Sequence, residues 1–358
     1  MTWTPRRIGI LLATAMIGLA IGLVVRTALM AHGATPVAQH AQTPANSATP
    51  VSAPTTSPAS DLYSLAVPAQ RARDYPGSKV TLEQAPVEGV DYRVSLVSYR
   101  SDGLKIYTQA VLPATPRPKH GYPVIILAHG YINPADYTTD EPFYTAFAVG
   151  LAKRGYLVLK PDFRGHGQSW GVPEGAYFSS GYVADILNLA ASLPTYPEAD
   201  SQKVALMGHS MGGHAALMAA IVRPAAFKAV VLAAPSAGQL TDMYDNWTAY
   251  SDFADPVTLG IRRRVVKLFG APDSGSQFWR EVDPYTYLTD IKAPVQIDHS
   301  TNDDTVPYRF STELAEAMKA AKRPVSLETF EAGHSFDGPA RDALLDKATA
   351  FIAKSLAQ

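Results

Sequence analysis

Ser210 lies in Gly208-His-Ser-Met-Gly212, a G-x-S-x-G pentapeptide that separates the apolar run 204–207 from an Ala/Leu/Met-rich stretch. The run before it reads as a strand and the stretch after it as a helix, the setting a nucleophile elbow requires. A serine at such an elbow sits on a turn so tight that small residues are needed around it, here Gly208 and Gly212, and its hydroxyl stands above the sheet. The chemistry open to it is acyl transfer, with Ser210 as nucleophile.

A serine alcohol is a weak nucleophile near neutral pH, so a base and a group that orients the base must exist elsewhere. Residues 294–299 read as a buried strand and residues 300–307, Ser-Thr-Asn-Asp-Asp-Thr-Val-Pro, as the loop after it. Residues 325–330 read as a later strand, followed by Glu331-Ala-Gly-His334. His334 is the expected base. Asp303 and Asp304 compete for the orienting position; Asp303 is preferred, and the other would be a capping or solvated carboxylate. Asp298, inside the apolar strand, reads as structural. Two backbone N–H groups are expected to form an oxyanion hole, one from Met211 and one from the loop after residues 123–130, most simply Tyr131. His129 reads as a loop-shaping residue, and His166, His209 and His214 as pocket shape or packing.

These segments resemble the α/β-hydrolase superfamily and, within it, the catalytic domain of the prolyl oligopeptidase family of serine peptidases. The resemblance covers most of residues 90–357. Its marks include Tyr99-Arg-Ser-Asp-Gly, His129-Gly130, Arg154-Gly-Tyr through Arg-Gly-His-Gly167, Gly208-His-Ser-Met-Gly-Gly213, Asp283-Pro-Tyr-Thr-Tyr-Leu through Ala-Pro294, and Asp303-Asp-Thr-Val-Pro307. The family's pattern sets the catalytic aspartate three residues before Val-Pro, which implies Asp303. Three departures stand out: Ser300 replaces the usual glycine after His299, Tyr131-Ile-Asn-Pro replaces a glycine-rich run after Gly130, and no propeller-length segment precedes the hydrolase segment. The gate that restricts such enzymes to short peptides is therefore expected to be missing.

The elements that must position these residues follow from hydrophobic pattern. Residues 90–100 and 104–112 read as a hairpin turning at Ser101-Asp-Gly103. Strands are expected at 124–128, 157–160, 204–208, 229–233, 295–297 and 326–330, several of them continuous apolar runs suited to parallel strands covered on both faces. Helices near 143–153, 181–193, 211–222, 308–321 and 340–355 would cover them, giving an α/β architecture with a mostly parallel central sheet. About 60 residues separate Pro235 from Pro294, too many for a plain crossover, so a cap over the site is expected at about 236–290. Its aromatic residues Tyr244, Trp247, Tyr250, Phe253, Phe278 and Trp279 are expected mainly to pack the insert, with a pocket role open to each. Arg262-Arg-Arg264 and Lys267 read as a solvated helix face in preference to a surface for an acidic partner. Asp162 and Arg164 read as structural.

Three segments are expected along the chain: 1–31, 32–61, and a catalytic domain at 62–358. Residues 8–25 carry no charge and follow Arg6-Arg7. At about 1.5 Å per helical residue, this run nearly matches the roughly 30 Å hydrocarbon core and exceeds the roughly 7 to 15 residues of an ordinary signal-peptide core. The positive-inside bias then implies a retained membrane anchor with the catalytic domain exported to the periplasm or cell exterior. Cleavage near residues 31–34, releasing a secreted protein, is the alternative. Residues 32–60 are Pro, Ala, Thr, Ser and Gln with little else, a composition expected to form a flexible tether. The absence of cysteine excludes disulfides without excluding export.

A formal net charge of -1 leaves no broad basic footprint for nucleic acid. No H-E-x-x-H sequence and no Walker or dinucleotide glycine pattern is present, so neither a metal nor a cofactor is expected. The expected function is a serine hydrolase acting on an amide or ester, with a peptide or a small molecule as substrate. The resemblance favours a peptidase; the alternatives are a carboxylesterase and a catalytically silent binding module, against which the complete Ser, Asp and His set speaks.

Overall fold

Residues 64–247 and 255–358 are described by the structure, a computed structural model. The expected anchor and tether, and the cap residues Tyr250 and Phe253, lie outside them. A short helix α1 (Val67–Ala72) leads into three strands, β1 (Thr81–Glu88), β2 (Tyr92–Ser101) and β3 (Leu104–Pro113), each antiparallel to the next. The β2–β3 hairpin closes through Asp102 and Gly103, with φ of 52° and 79°. Two positive φ values in succession define a type I′ turn, whose twist matches that of paired strands.

Strands and helices then alternate: β4 (Tyr122–Ala128), α2 (Pro142–Lys153), β5 (Leu157–Pro161), α3 (Gly181–Ser192), β6 (Ala199–His209), α4 (Met211–Val222) and β7 (Ala229–Ala233). An insert follows, made of α5 (Leu240–Asn246), α6 (Pro256–Phe269), α7 (Gln277–Val282) and a 3₁₀ turn (Pro284–Asp290). The chain ends with β8 (Val295–Ser300), α8 (Tyr308–Ala320), β9 (Val325–Phe330) and α9 (Pro339–Leu356). One nine-stranded sheet results, in the order β1-β2-β3-β5-β4-β6-β7-β8-β9. Its pairs from β5 to β9 are parallel, and β3 pairs antiparallel with β5.

The continuous apolar strands are explained by burial on both faces. In β4, Val124, Ile126 and Ala128 point into one core while Ile125 and Leu127 point into the other; in β6, Val204 and Leu206 alternate with Ala205 and Met207 in the same way. Residues of α3, α4 and α8 build the first core, and residues of α2 and α9 the second. Every residue of α4 is buried, so this helix is apolar all round rather than amphipathic.

The strand β1 carries no periodic signal, because nearly all its residues are exposed and Pro86 interrupts it. Among the described residues it forms an edge and pairs only with β2, with register shifts between Leu82 and Gln84 and between Gln84 and Val87. Proline and bulges are what an edge strand tolerates.

Sheet order also dictates where a site can form. From β4 the chain moves through α2 to β5 on one side, then returns through α3 to β6 on the other. The order reverses between β4 and β6, and loops leaving the carboxyl ends of strands at such a reversal diverge to leave a crevice. Tyr131 follows β4 and Ser210 follows β6.

Candidate active site

Ser210 sits between β6 and α4 with φ 54° and ψ -121°. That conformation is strained for any residue with a Cβ and persists only where surrounding bonds enforce it. Here the Ser210 N–H donates to the Ala233 carbonyl at 3.0 Å, and its own carbonyl accepts from Gly213 N–H at 2.9 Å and Ser236 N–H at 3.1 Å. The glycines are needed for space. A Cβ on Gly208 would stand 2.2 Å from the Gly212 carbonyl oxygen, and one on Gly212 would stand 2.1 Å from that of Ala128.

His334, after β9, places Nδ1 2.7 Å from Asp303 Oδ2. Asp303 follows β8, and its side chain is sealed from solvent while that of His334 is 15% exposed. Its Oδ1 accepts from Thr305 N–H at 2.9 Å and Val306 N–H at 2.8 Å. Burial alone would push the Asp303 carboxyl up. Hydrogen bonds from His299 and His334, the charge of His334 and the Val306 N–H together hold it well below the usual carboxylate range. An ionised Asp303 can only accept, so His334 carries its proton on Nδ1 and leaves Nε2 to take one up. Asp304, by contrast, is exposed and accepts from the hydroxyl of its neighbour Thr305.

Ser210, His334, Tyr131 and Met211 line one cavity of about 240 Å³. Met211 opens α4, where the first N–H groups of a helix have no intrahelical acceptor. The apolar wall includes Tyr177, Tyr182 and Trp247. Of the insert's described aromatic residues, Trp247 faces the cavity, and its indole N–H donates to the Thr305 carbonyl at 2.9 Å, tying the insert to the Asp303 loop. Phe278 and Trp279 are buried in a core that the insert shares with Leu65, Phe178, Val306 and Phe310, and Tyr244 packs against it beneath the Arg262 guanidinium. Arg263, Arg264 and Lys267 are exposed; Arg262, part-buried over Tyr244 and Phe178, departs from the solvated face expected of this run. No cluster of metal-ligating side chains occurs among the described residues.

Two residues hold the site in ways the sequence did not reveal. His299 is fully enclosed, with Nε2 3.1 Å from both Asp303 Oδ2 and the Val306 carbonyl and Nδ1 2.6 Å from Ser311 Oγ. Facing two acceptors, Nε2 must carry the proton, so His299 braces Asp303 from behind. Ser300, which stands where glycine was expected, accepts from Ala332 N–H at 2.9 Å and thereby joins the Asp303 loop to the His334 loop. Several other polar groups around the site are structural anchors. Arg164 ties the loop after β5 to Asp185 of α3 and to Asp102 of the hairpin. Asp162 accepts from Tyr137 at 2.6 Å and pairs with the buried Lys160. His129 is buried among Tyr137, Phe163 and His166 and is absent from the cavity wall, while His166 reaches it. His214 packs on Tyr177, and burial pushes it down to about 4.

A mostly parallel sheet flanked by helices, with a strained serine after a central strand and a bonded Asp–His pair on later loops, is the α/β-hydrolase fold. Among solved structures, Est1E from Butyrivibrio proteoclasticus with ferulic acid bound aligns with TM-score 0.56 at 19% identity, over 73% of this chain and 99% of that one. Porphyromonas gingivalis dipeptidyl peptidase 4 aligns with TM-score 0.56 at 19% identity, over 74% of this chain and 36% of that one. The model of the prolyl oligopeptidase family matches residues 143–358. That match takes in the elbow, the insert and both later loops, and the chain belongs to this family. Dipeptidyl aminopeptidase BIII of Pseudoxanthomonas mexicana is 27% identical over 242 residues, which are 65% of this chain and 33% of that protein. The chain spans about a third of the length of the curated relatives it matches.

Proposed function

We propose that this protein is a serine hydrolase that cleaves an acyl bond through a covalent intermediate on Ser210, with a peptide amide as the favoured substrate. The observation that carries the reading is the strained Ser210 sharing a cavity with a His334 whose Nδ1 is bonded to a buried, ionised Asp303. In this reading His334 Nε2 takes the Ser210 proton as Oγ attacks the substrate carbonyl. The Tyr131 and Met211 N–H groups receive the developing oxyanion, each worth about 3 kcal/mol in the barrier. His334 then passes the proton to the departing amine or alkoxide, and water, deprotonated by the same imidazole, releases the acyl group. Asp303 holds the tautomer and stabilises the imidazolium throughout.

The aromatic wall of the cavity suits a compact apolar group beside the scissile carbonyl. Family membership and relatives described as dipeptidyl peptidases favour the amide, while the small esterases with the same fold favour a carboxylesterase as second reading. The charge-free run at residues 8–25 supports membrane anchoring with export of the hydrolase; it lies outside the described residues, among which no helix is long and apolar enough to cross a membrane.

The test compares the full-length protein with Ser210→Ala on chromogenic esters and on aminoacyl and prolyl amides. Ser210-dependent amide cleavage is expected. Cleavage of esters alone would replace the peptidase reading with the carboxylesterase one, and wild-type turnover in Ser210→Ala would remove Ser210 from the mechanism.

A further inference from the structure

His209, the residue before Ser210, is only 3% exposed and lies among the rings of Phe143, Phe147 and Phe336. An imidazole in such apolar surroundings is costly unless both nitrogens are bonded, and both are. Its Nε2 stands 3.0 Å from the backbone carbonyl oxygen of His334, and its Nδ1 stands 2.8 Å from the Tyr144 hydroxyl. A carbonyl can only accept, so Nε2 carries the hydrogen and Nδ1 of the neutral ring accepts from Tyr144. The Tyr144 oxygen in turn accepts from Gly130 N–H at 2.6 Å. Burial, with the charge of His334 adding to it, pushes His209 down to about 3, and burial raises Tyr144 well above the ordinary tyrosine range. Both groups thus keep the uncharged forms these bonds require.

Four segments distant in sequence meet in this chain of bonds: the loop after β4, the helix α2, the end of β6 and the loop after β9. We propose that His209 and Tyr144 are positioning residues for acyl transfer, a relay of hydrogen bonds that sets the oxyanion loop, the elbow and the His334 backbone against one another. The proposal rests on the reading of Ser210 as nucleophile and His334 as its base. A residue that only filled space beside the elbow would need neither nitrogen, whereas here each directional bond ends on a part of the site that must not drift. Misplacement of about 1 Å in such a site can cost on the order of a hundredfold in rate.

Two substitutions at His209 divide its functions. His209→Gln sets an amide donor near the place of Nε2 and preserves the tie to the His334 carbonyl; His209→Asn keeps an acceptor for Tyr144 and lacks that donor. On the substrate that the full-length protein turns over, His209→Asn is expected to lower kcat about tenfold with KM within about twofold, and His209→Gln to recover most of the loss. Equal losses in both variants, a rise in KM alone, or losses that merely track Tm would overturn the relay. A second readout needs no turnover: ¹⁵N NMR of His209 in the Ser210→Ala protein should place its single ring proton on Nε2. A proton on Nδ1 would overturn the proposal, while a wild-type protein without turnover would count against the Ser210 reading and leave the tautomer result standing.

Discussion

The left-handed backbone of Ser210 stores strain on the order of 1–3 kcal/mol, which a residue lacking Cβ would not bear. Ser210→Ala and Ser210→Gly remove the same hydroxyl, so both are expected to be inactive. The glycine variant should nonetheless melt later than the alanine variant, by about 1–2 kcal/mol of stability; equal melting temperatures would mean that the turn is not strained. The two adjacent aspartates separate as cleanly. Asp303→Asn leaves the position filled while removing the charge that fixes the His334 tautomer, so kcat should fall about 10⁴-fold. Asp304→Asn changes an exposed carboxylate and should leave kcat within about twofold, and the reverse result in steady-state assays would exchange the two assignments. Ser210, His334 and the 303–304 pair were legible because an elbow demands glycines at fixed spacing and its partners end later strands. His299 and Ser300 were not, since a single buried imidazole or hydroxyl has no spacing of its own and its use depends on which loops the sheet brings side by side.

Among the elements, the elbow tolerates least. A methyl on Gly212 would collide with the backbone oxygens of both Ala128 and His129, so α4 would have to lift from β4. Gly212→Ala is expected to lower stability by at least about 1–3 kcal/mol, the usual range for overpacking. Gly260 offers the contrast. It lies inside α6, where, among the described residues, nothing beyond its own helix backbone and chain neighbours comes within 4 Å of an added Cβ, and Gly260→Ala should raise stability by about 0.5–1 kcal/mol in denaturant titrations. The central strands and their covering helices could be read from apolar runs because two cores bury both faces of β4 to β7. The edge strand β1 could not, since a solvated strand with a proline leaves no periodic trace. The insert was legible as a length between Pro235 and Pro294 and not as an arrangement: no pattern distinguishes Trp247, which faces the cavity, from Trp279, which is buried between the insert and Phe178.

For the molecule as a whole, stability should carry the mark of Asp298, fully enclosed within β8. Burial pushes its carboxyl from 3.8 up to about 8, so the folded chain retains a proton that the unfolded chain releases between those values. The contribution of the neutral group is complete only below the unfolded value and is lost as pH rises through the folded one. Asp298→Asn, neutral at every pH, should therefore gain on the wild type as pH goes from about 5 to about 8, and thermal melts in which the gap stays constant would show that Asp298 is already charged. The sheet's far border has a different consequence. Thr81–Glu88, kinked and proline-bearing, covers the smooth ten-residue ladder of Tyr92–Ser101. Replacing residues 81–88 alone with a flexible Gly/Ser linker, which keeps the buried Val67 and Val80 in place, would turn that ladder into an open template for strand addition, and such a protein should clump through edge-to-edge pairing of copies.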